Sequence, residues 1–162
     1  MSIEEQILDI LSENSKITPL QIAEMTGVNI DTVKIIIDAL EKNKVIVKYN
    51  TLINWEKTER AYVCALIEVK VTPQREQGFD AIAERIYRFP EVKSVYLMSG
   101  DYDLALTVEG KTMKEVAFFV AEKLSVLDSV MSTSTHFLLK KYKVDGVILE
   151  EEHTDIRQVI TL

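Results

Sequence analysis

Thr18-Pro19-Leu20-Gln21-Ile22-Ala23-Glu24-Met25-Thr26-Gly27 decides how the first third of this chain folds. Thr18 caps a helix, Pro19 takes the first helical position, and Gln21 reaches back to the cap. Gly27 ends the helix, because glycine enters the left-handed conformation at little cost. The helix is short, about two turns. Leu20, Ile22, Ala23 and Met25 are expected to supply its apolar side.

The neighbouring segments fit around it. Upstream, Ser2 and Glu5 form a second capping box, and Ile3, Ile7, Leu8 and Leu11 fall on one helical face. Downstream, Val28 and Asn29 lead into a third helix over residues 30–42, with Val33, Ile37 and Leu40 as its buried stripe. Val45-Ile46-Val47-Lys48-Tyr49 is rich in β-formers, Asn50-Thr51 reads as a turn, and Leu52-Ile53 as a return strand. Helix, short capped helix, glycine turn, longer helix, hairpin is the order of a winged helix-turn-helix.

After a polar stretch at 54–60 the pattern changes. Residues 61–71 alternate as a strand that Pro73 ends. Phe79, Ile82, Ala83 and Ile86 make a helical face closed by Pro90, and 92–98 is a second strand. Ser99-Gly100-Asp101-Tyr102 has turn chemistry. Leu104, Leu106 and Val108 alternate in a third strand. Thr112 and Glu115 cap a helix carrying Met113, Val116, Ala117, Val120 and Leu124, and 132–140 is a fourth strand. The order β-α-β-β-α-β is the ferredoxin-like pattern. The chain is therefore expected to be α+β, with a winged helix-turn-helix over 1–53, a linker over 54–60, a ferredoxin-like domain over 61–143 and an extension over 144–162. Helices cover one face of such a sheet. The other, which would carry Tyr62, Cys64 and Leu66, must find a partner, so a dimer is expected. Phe118 points away from its helix's buried stripe and is a second candidate contact.

Composition narrows the class. The chain has 162 residues, 47% hydrophobic and 28% charged, which is ordinary for a globular protein. It has no apolar run of about 18 residues, so no membrane span is expected. The acidic start, Met1-Ser2-Ile3-Glu4-Glu5-Gln6, does not resemble a secretory signal. Cys64 is the single cysteine, which excludes a disulfide framework. A cytoplasmic location is expected. The formal net charge of −7 speaks against a generic polyanion binder, since phosphate contacts normally come from Lys and Arg.

The chain resembles the Lrp/AsnC (feast/famine) transcriptional regulators over nearly its whole length. The matching pieces in the first part are Ile7-Leu8-Asp9-Ile10-Leu11, Ile22-Ala23-Glu24-Met25-Thr26-Gly27-Val28, Thr32-Val33, Ile37, Leu40-Glu41 and Val45-Ile46. In the second part they are Phe89-Pro90-Glu91-Val92, Ser99-Gly100-Asp101-Tyr102-Asp103-Leu104 and Thr133-Ser134-Thr135. The strength lies in their order and spacing. The resemblance implies a RAM-type αβ-sandwich domain that pairs through its sheet, with dimers that associate further, commonly into octamers. It implies an effector, usually an amino acid, bound at or near dimer–dimer contacts. It implies that the third helix enters the DNA major groove.

For DNA, the expected contacts are Asn29, Asp31, Thr32 and Lys34 on the third helix and Lys48 on the wing. Relatives usually carry basic residues near the positions of Ile35, Ile36, Asp38 and Ala39, and this chain departs there. Residues 1–50 hold five Lys, no Arg and eight acidic residues, a net of −3. Binding to double-stranded DNA is therefore expected to be weak per module and rescued by several modules on one DNA. The alternative is an effector-sensing partner of a related regulator, with no DNA binding of its own.

For the effector, Gly100, Asp101, Tyr102, Asp103, Thr133 and Thr135 are the candidates. Gly100 permits a tight turn whose N–H groups can hold a carboxylate, helped by Thr133 and Thr135 hydroxyls. Asp101 or Asp103 can pair with an ammonium. Read from the residues alone, the same loop can be a turn whose Asp side chains bond only to local backbone. Thr133 and Thr135 alternate with Ser134, so only one set can face a ligand. His136 and His153 lack metal-ligand spacing, and no phosphate loop or nucleophile elbow occurs. No catalytic residue, metal or cofactor is assigned. An enzyme of the kind found among some relatives, the haem-pathway decarboxylases, is a minor alternative.

Overall fold

The computed structural model describes residues 1–72 and 78–149, which fall into two compact units, Met1–Ile53 and a second beginning at Asn54. Each is described by itself.

The first unit is three helices. Helix α1, Ile3–Glu13, starts under a reciprocal capping box in which the Glu5 N–H donates to Ser2 Oγ and the Ser2 N–H to Glu5 Oε2. Helix α2, Pro19–Thr26, repeats the device with Thr18 and Gln21. Gly27 stops it at φ 71°, its N–H bonding to the Ala23 carbonyl at 2.9 Å. Helix α3, Ile30–Lys42, is capped by Asn29. Each helix gives one completely buried side chain to the core: Ile7, Ile22 and Val33. Ile37 is only half-buried beside them, while Leu40 is buried.

Two expectations fail here. Leu20 and Met25 are 55% and 63% exposed. At about 100° per residue, Ile22, Ala23 and Thr26 share one face of α2, and Leu20 and Met25 fall to either side of it. The expected hairpin over 45–53 carries no strand pairing. Instead the Val45 and Ile46 N–H groups both return to the Leu40 carbonyl, at 2.9 and 3.1 Å, after a left-handed turn at Lys44 (φ 60°). The first residues of the supposed strand thus finish the helix. Only Ile46 is even half-buried, so no apolar face rewards a lone hairpin, which is marginal in water.

The second unit is the ferredoxin-like domain. A 3-10 turn, Trp55–Lys57, opens it, with the Trp55 ring 6.3 Å from that of Tyr62 and the Arg60 guanidinium 4.5 Å above Trp55. Strands β1 (Val63–Val71), β2 (Val92–Leu97), β3 (Leu104–Gly110) and β4 (Val130–Phe137) form an antiparallel sheet in the order β2-β3-β1-β4. Helices α4 (Asp80–Tyr87) and α5 (Met113–Phe119) cover one face, and α5 continues into a π turn, Val120–Leu124. Thr112 caps α5, while the Glu115 carboxylate accepts from the Lys111 N–H rather than from Thr112.

Strand alternation sorts the sheet. Ala65, Ile67 and Val69 of β1 pair with Val108, Leu106 and Leu104 of β3, and all six are buried under the helices with Ile82, Ile86, Val116 and Phe119. Met113 and Ala117, expected on the buried stripe of α5, are exposed. Phe118 is 49% exposed, on the side of α5 away from the core. On the sheet's open face lie Cys64, Leu66 and Glu68 of β1, Ala105 and Thr107 of β3, and Tyr96 of β2. After β4, a two-residue hairpin joins β5 (Lys143–Val144) to β6 (Val147–Ile148) through Asp145 and Gly146, both at positive φ. His153 and the rest of the extension beyond residue 149 lie outside the described residues, as does Pro73. No described helix is long and apolar enough to cross a membrane.

Candidate effector pocket and nucleic-acid interface

In the second unit the loop between β2 and β3 closes one end of a cavity of about 270 Å³. Its lining includes Ser99, Gly100, Asp101 and Tyr102 from the loop and Glu68 from β1. Gly100 has φ 139°, a conformation that L side chains rarely adopt, and a Cβ built on it would meet only open space. Glycine is therefore required here by backbone conformation, with steric room to spare.

The loop is tied at several points. The Met98 N–H donates to the Asp103 carbonyl at 2.8 Å, and the Asp103 N–H to the Val69 carbonyl at 3.1 Å. The Asp103 carboxylate accepts from the Val71 N–H at 2.9 Å. Lys70 Nζ donates to the Asp101 carbonyl at 2.7 Å. Asp103 thus anchors the loop to β1 and is not part of the cavity lining; its expected pairing with a ligand ammonium is not what this geometry offers.

The threonines are placed elsewhere too. Thr133 and Thr135 stand opposite Val69 and Ile67 in the β1–β4 register, which puts them on the helix-covered face. Ser134 stands opposite Glu68, and His136 opposite Leu66, on the open face. His136 Nε2 lies 3.2 Å from Glu68 Oε2 and 3.1 Å from Ser134 Oγ. Of the six expected effector residues, the structure brings Gly100, Asp101 and Tyr102 together around the cavity. It adds Glu68, which the sequence reading missed. The period-two alternation of β1 carried that signal, since Glu68 shares a parity with Cys64 and Leu66.

In the first unit the outward stripe of α3 holds the expected DNA contacts. The Asn29 side-chain oxygen accepts from the Asp31 N–H at 2.8 Å, so it is committed to capping. Asp31 and Lys34 are 4.0 Å apart, with side chains 80% and 54% exposed. Thr32 and Asp38 are exposed, and Ile35 is 68% exposed in the middle of the stripe. Lys48 sits apart, at the other end of the helix. Its neighbour Tyr49 donates from its hydroxyl to Glu41 Oε1 at 2.8 Å. Partial desolvation of an otherwise exposed ring, then the Glu41 hydrogen bond and charge, push the Tyr49 phenol up to about 12. Among the described residues no group of His, Cys, Asp or Glu could hold a metal ion.

Comparison with known proteins gives both units a counterpart. The Lrp/AsnC ligand binding domain matches residues 64–148, and a winged helix-turn-helix DNA-binding family matches residues 2–47. An uncharacterized HTH-type transcriptional regulator of Bacillus subtilis, YugG, is 55% identical over 98% of this chain and 96% of its own length. Among solved structures, a transcriptional regulator of Neisseria meningitidis in complex with L-Met superposes with a TM-score of 0.72 at 23% identity, covering 89% of this chain and 92% of the other. AsnC of Escherichia coli gives a TM-score of 0.69 at 16% identity over 88% and 93%.

Proposed function

Because this chain belongs to the Lrp/AsnC family of transcriptional regulators, with a helix-turn-helix domain for DNA and a domain for a small ligand, we propose that its effector is an amino acid held in the cavity beside Gly100. The observation that carries this reading is the cavity itself. Its lining sets the glycine turn at Gly100 beside Asp101 and Glu68; we assign the turn's backbone to a ligand carboxylate and the two acidic side chains to an ammonium. An α-amino acid has both charges. The Neisseria structural relative contains L-Met, which supports the ligand class.

The test is a thermal-shift screen of the common amino acids on the full chain and on Gly100→Leu. One or more amino acids stabilise the wild type, and the variant loses that response. No response in the wild type, or one that survives the substitution, overturns the assignment.

In the same reading the open sheet face pairs two copies, the dimers associate further, and α3 of several subunits engages one DNA in the cytoplasm. A second reading has a specific observation behind it. The exposed stripe of α3 carries Asp31 and Asp38 around Ile35, so the chain could sense its effector and act only alongside a more basic relative. Gel shift with the gene's own upstream DNA across a range of salt separates the two. Retardation at low salt by this chain alone supports direct DNA binding, and its absence supports the second reading.

A further inference from the structure

Residues 1–50 contain no Arg, and with it goes the commonest way of reading guanine, a bidentate donor to O6 and N7. The remaining donors on α3 are partly committed. Asn29 is the helix cap, and Lys34 leans on Asp31. What α3 presents outward is an acceptor, a branched alkyl group and a second acceptor: Asp31, Ile35 and Asp38. Positions i, i+4 and i+7 lie on one stripe. At about 1.5 Å per residue, Asp31 to Asp38 spans roughly 10 Å, or about three base-pair steps of about 3.4 Å.

Resting on the reading that α3 enters the major groove, the geometry points to an operator read by acceptors and a methyl contact: Ile35 packs on the C5-methyl of a thymine, and Asp31 and Asp38 accept from the N4 amino groups of cytosines on either side of it. Each partner follows from the groove's code, in which the thymine methyl is the one apolar group and cytosine offers its N4 donor without the N7 acceptor that stands beside adenine's N6 donor and repels a carboxylate. Two carboxylates in a groove lined by phosphates repel the backbone everywhere, and only a base donor offsets that repulsion. The same residues that weaken general DNA affinity therefore sharpen the choice of site. Lys34, on the flank of the stripe, is left for phosphate.

The full-length protein is taken through rounds of selection on randomised DNA duplexes at low salt, and the enriched core is then probed by base exchange. The expected core places a thymine between cytosines. Replacing that thymine by deoxyuridine removes only the methyl group and weakens wild-type binding about four-fold, the value of one buried methyl. Ile35→Ala, whose parent side chain is exposed, shows the same loss and no further loss on the uracil duplex. Asp38→Ala relaxes the preference at one flanking cytosine. Loss of binding when 7-deazaguanine replaces the guanines opposite those cytosines, or a uracil exchange without effect on the wild type, overturns this inference and leaves DNA binding standing. No enriched core at all overturns DNA reading by α3, and this inference with it.

Discussion

The carboxylate of Asp103 accepts a hydrogen bond from the backbone N–H of Val71 at 2.9 Å, joining the last residue of the β2–β3 loop to the last residue of β1. The two are far apart in sequence, at the neighbouring ends of β1 and β3, so one side chain fixes where the loop begins its return. Val71 is buried, and its N–H has little access to water as a substitute partner.

Asp103→Ala leaves that N–H unsatisfied. The expected cost is about 1–3 kcal/mol of stability. Asp103→Asn keeps an acceptor oxygen and is expected to lose less. Urea unfolding of the full chain compares the two, and equal losses would mean that the hydrogen bond is not what Asp103 supplies.

Asp38→Arg asks whether α3 touches DNA. It replaces an exposed carboxylate by a guanidinium on the outward stripe. Non-specific affinity is expected to rise, and the slope of log K against log salt to steepen by about 1 for one added phosphate contact. Fluorescence anisotropy with random-sequence duplex across salt reads both, and no change in either would place this face away from DNA.

Leu66→Lys tests the open sheet face. Leu66 is 38% exposed at the centre of a face that no helix covers. A buried lysine at a paired face is strongly disfavoured, so sedimentation should shift toward the monomer while the helix-covered core stays folded. An unchanged sedimentation coefficient would exclude this face as the pairing surface.

Tyr49 gives a pH signature. Its phenol is pushed up to about 12 by partial desolvation and by Glu41, against an ordinary value near 10. The unfolded chain therefore loses this proton first. The contribution of the Tyr49–Glu41 contact is whole below about pH 10 and is lost as pH rises from there toward 12. In a spectrophotometric titration, wild type and Tyr49→Phe should differ by one tyrosinate that appears late. A difference that appears at the ordinary phenol value would remove the Glu41 contact from solution.

Much of the fold was legible because the sequence carries local signals. Ser2 with Glu5, and Thr18 with Gln21 and Gly27, are devices completed within one turn, and each formed as read. Strand alternation in β1 and β3 was readable in Ala65, Ile67, Val69, Leu104, Leu106 and Val108, all buried on one face, although Cys64 and Ala105 of the open face are buried as well. The site was harder. Gly100 declares a turn by itself, but whether Thr133 or Ser134 stands opposite Glu68 depends on β1–β4 register, which joins residues far apart in the chain. Asp103 looked like a ligand group because a sequence shows a carboxylate without its partner, here a backbone amide across the sheet. The supposed hairpin over 45–53 failed for a related reason: β-propensity is expressed against a packed neighbour, and Val45 and Ile46 found the end of α3 first.

If the cavity beside Gly100 holds the effector as proposed, the ties on the β2–β3 loop bear on time as well as on affinity. Met98, Asp101 and Asp103 are all bonded to the protein itself, so the turn at Gly100 is held by contacts that a ligand does not have to supply. A ligand meeting a turn held this way skips a slow ordering step. Its arrival is then governed by encounter, and discrimination between similar amino acids falls to how fast each one leaves. Such a sensor follows a falling supply at the pace of ligand departure.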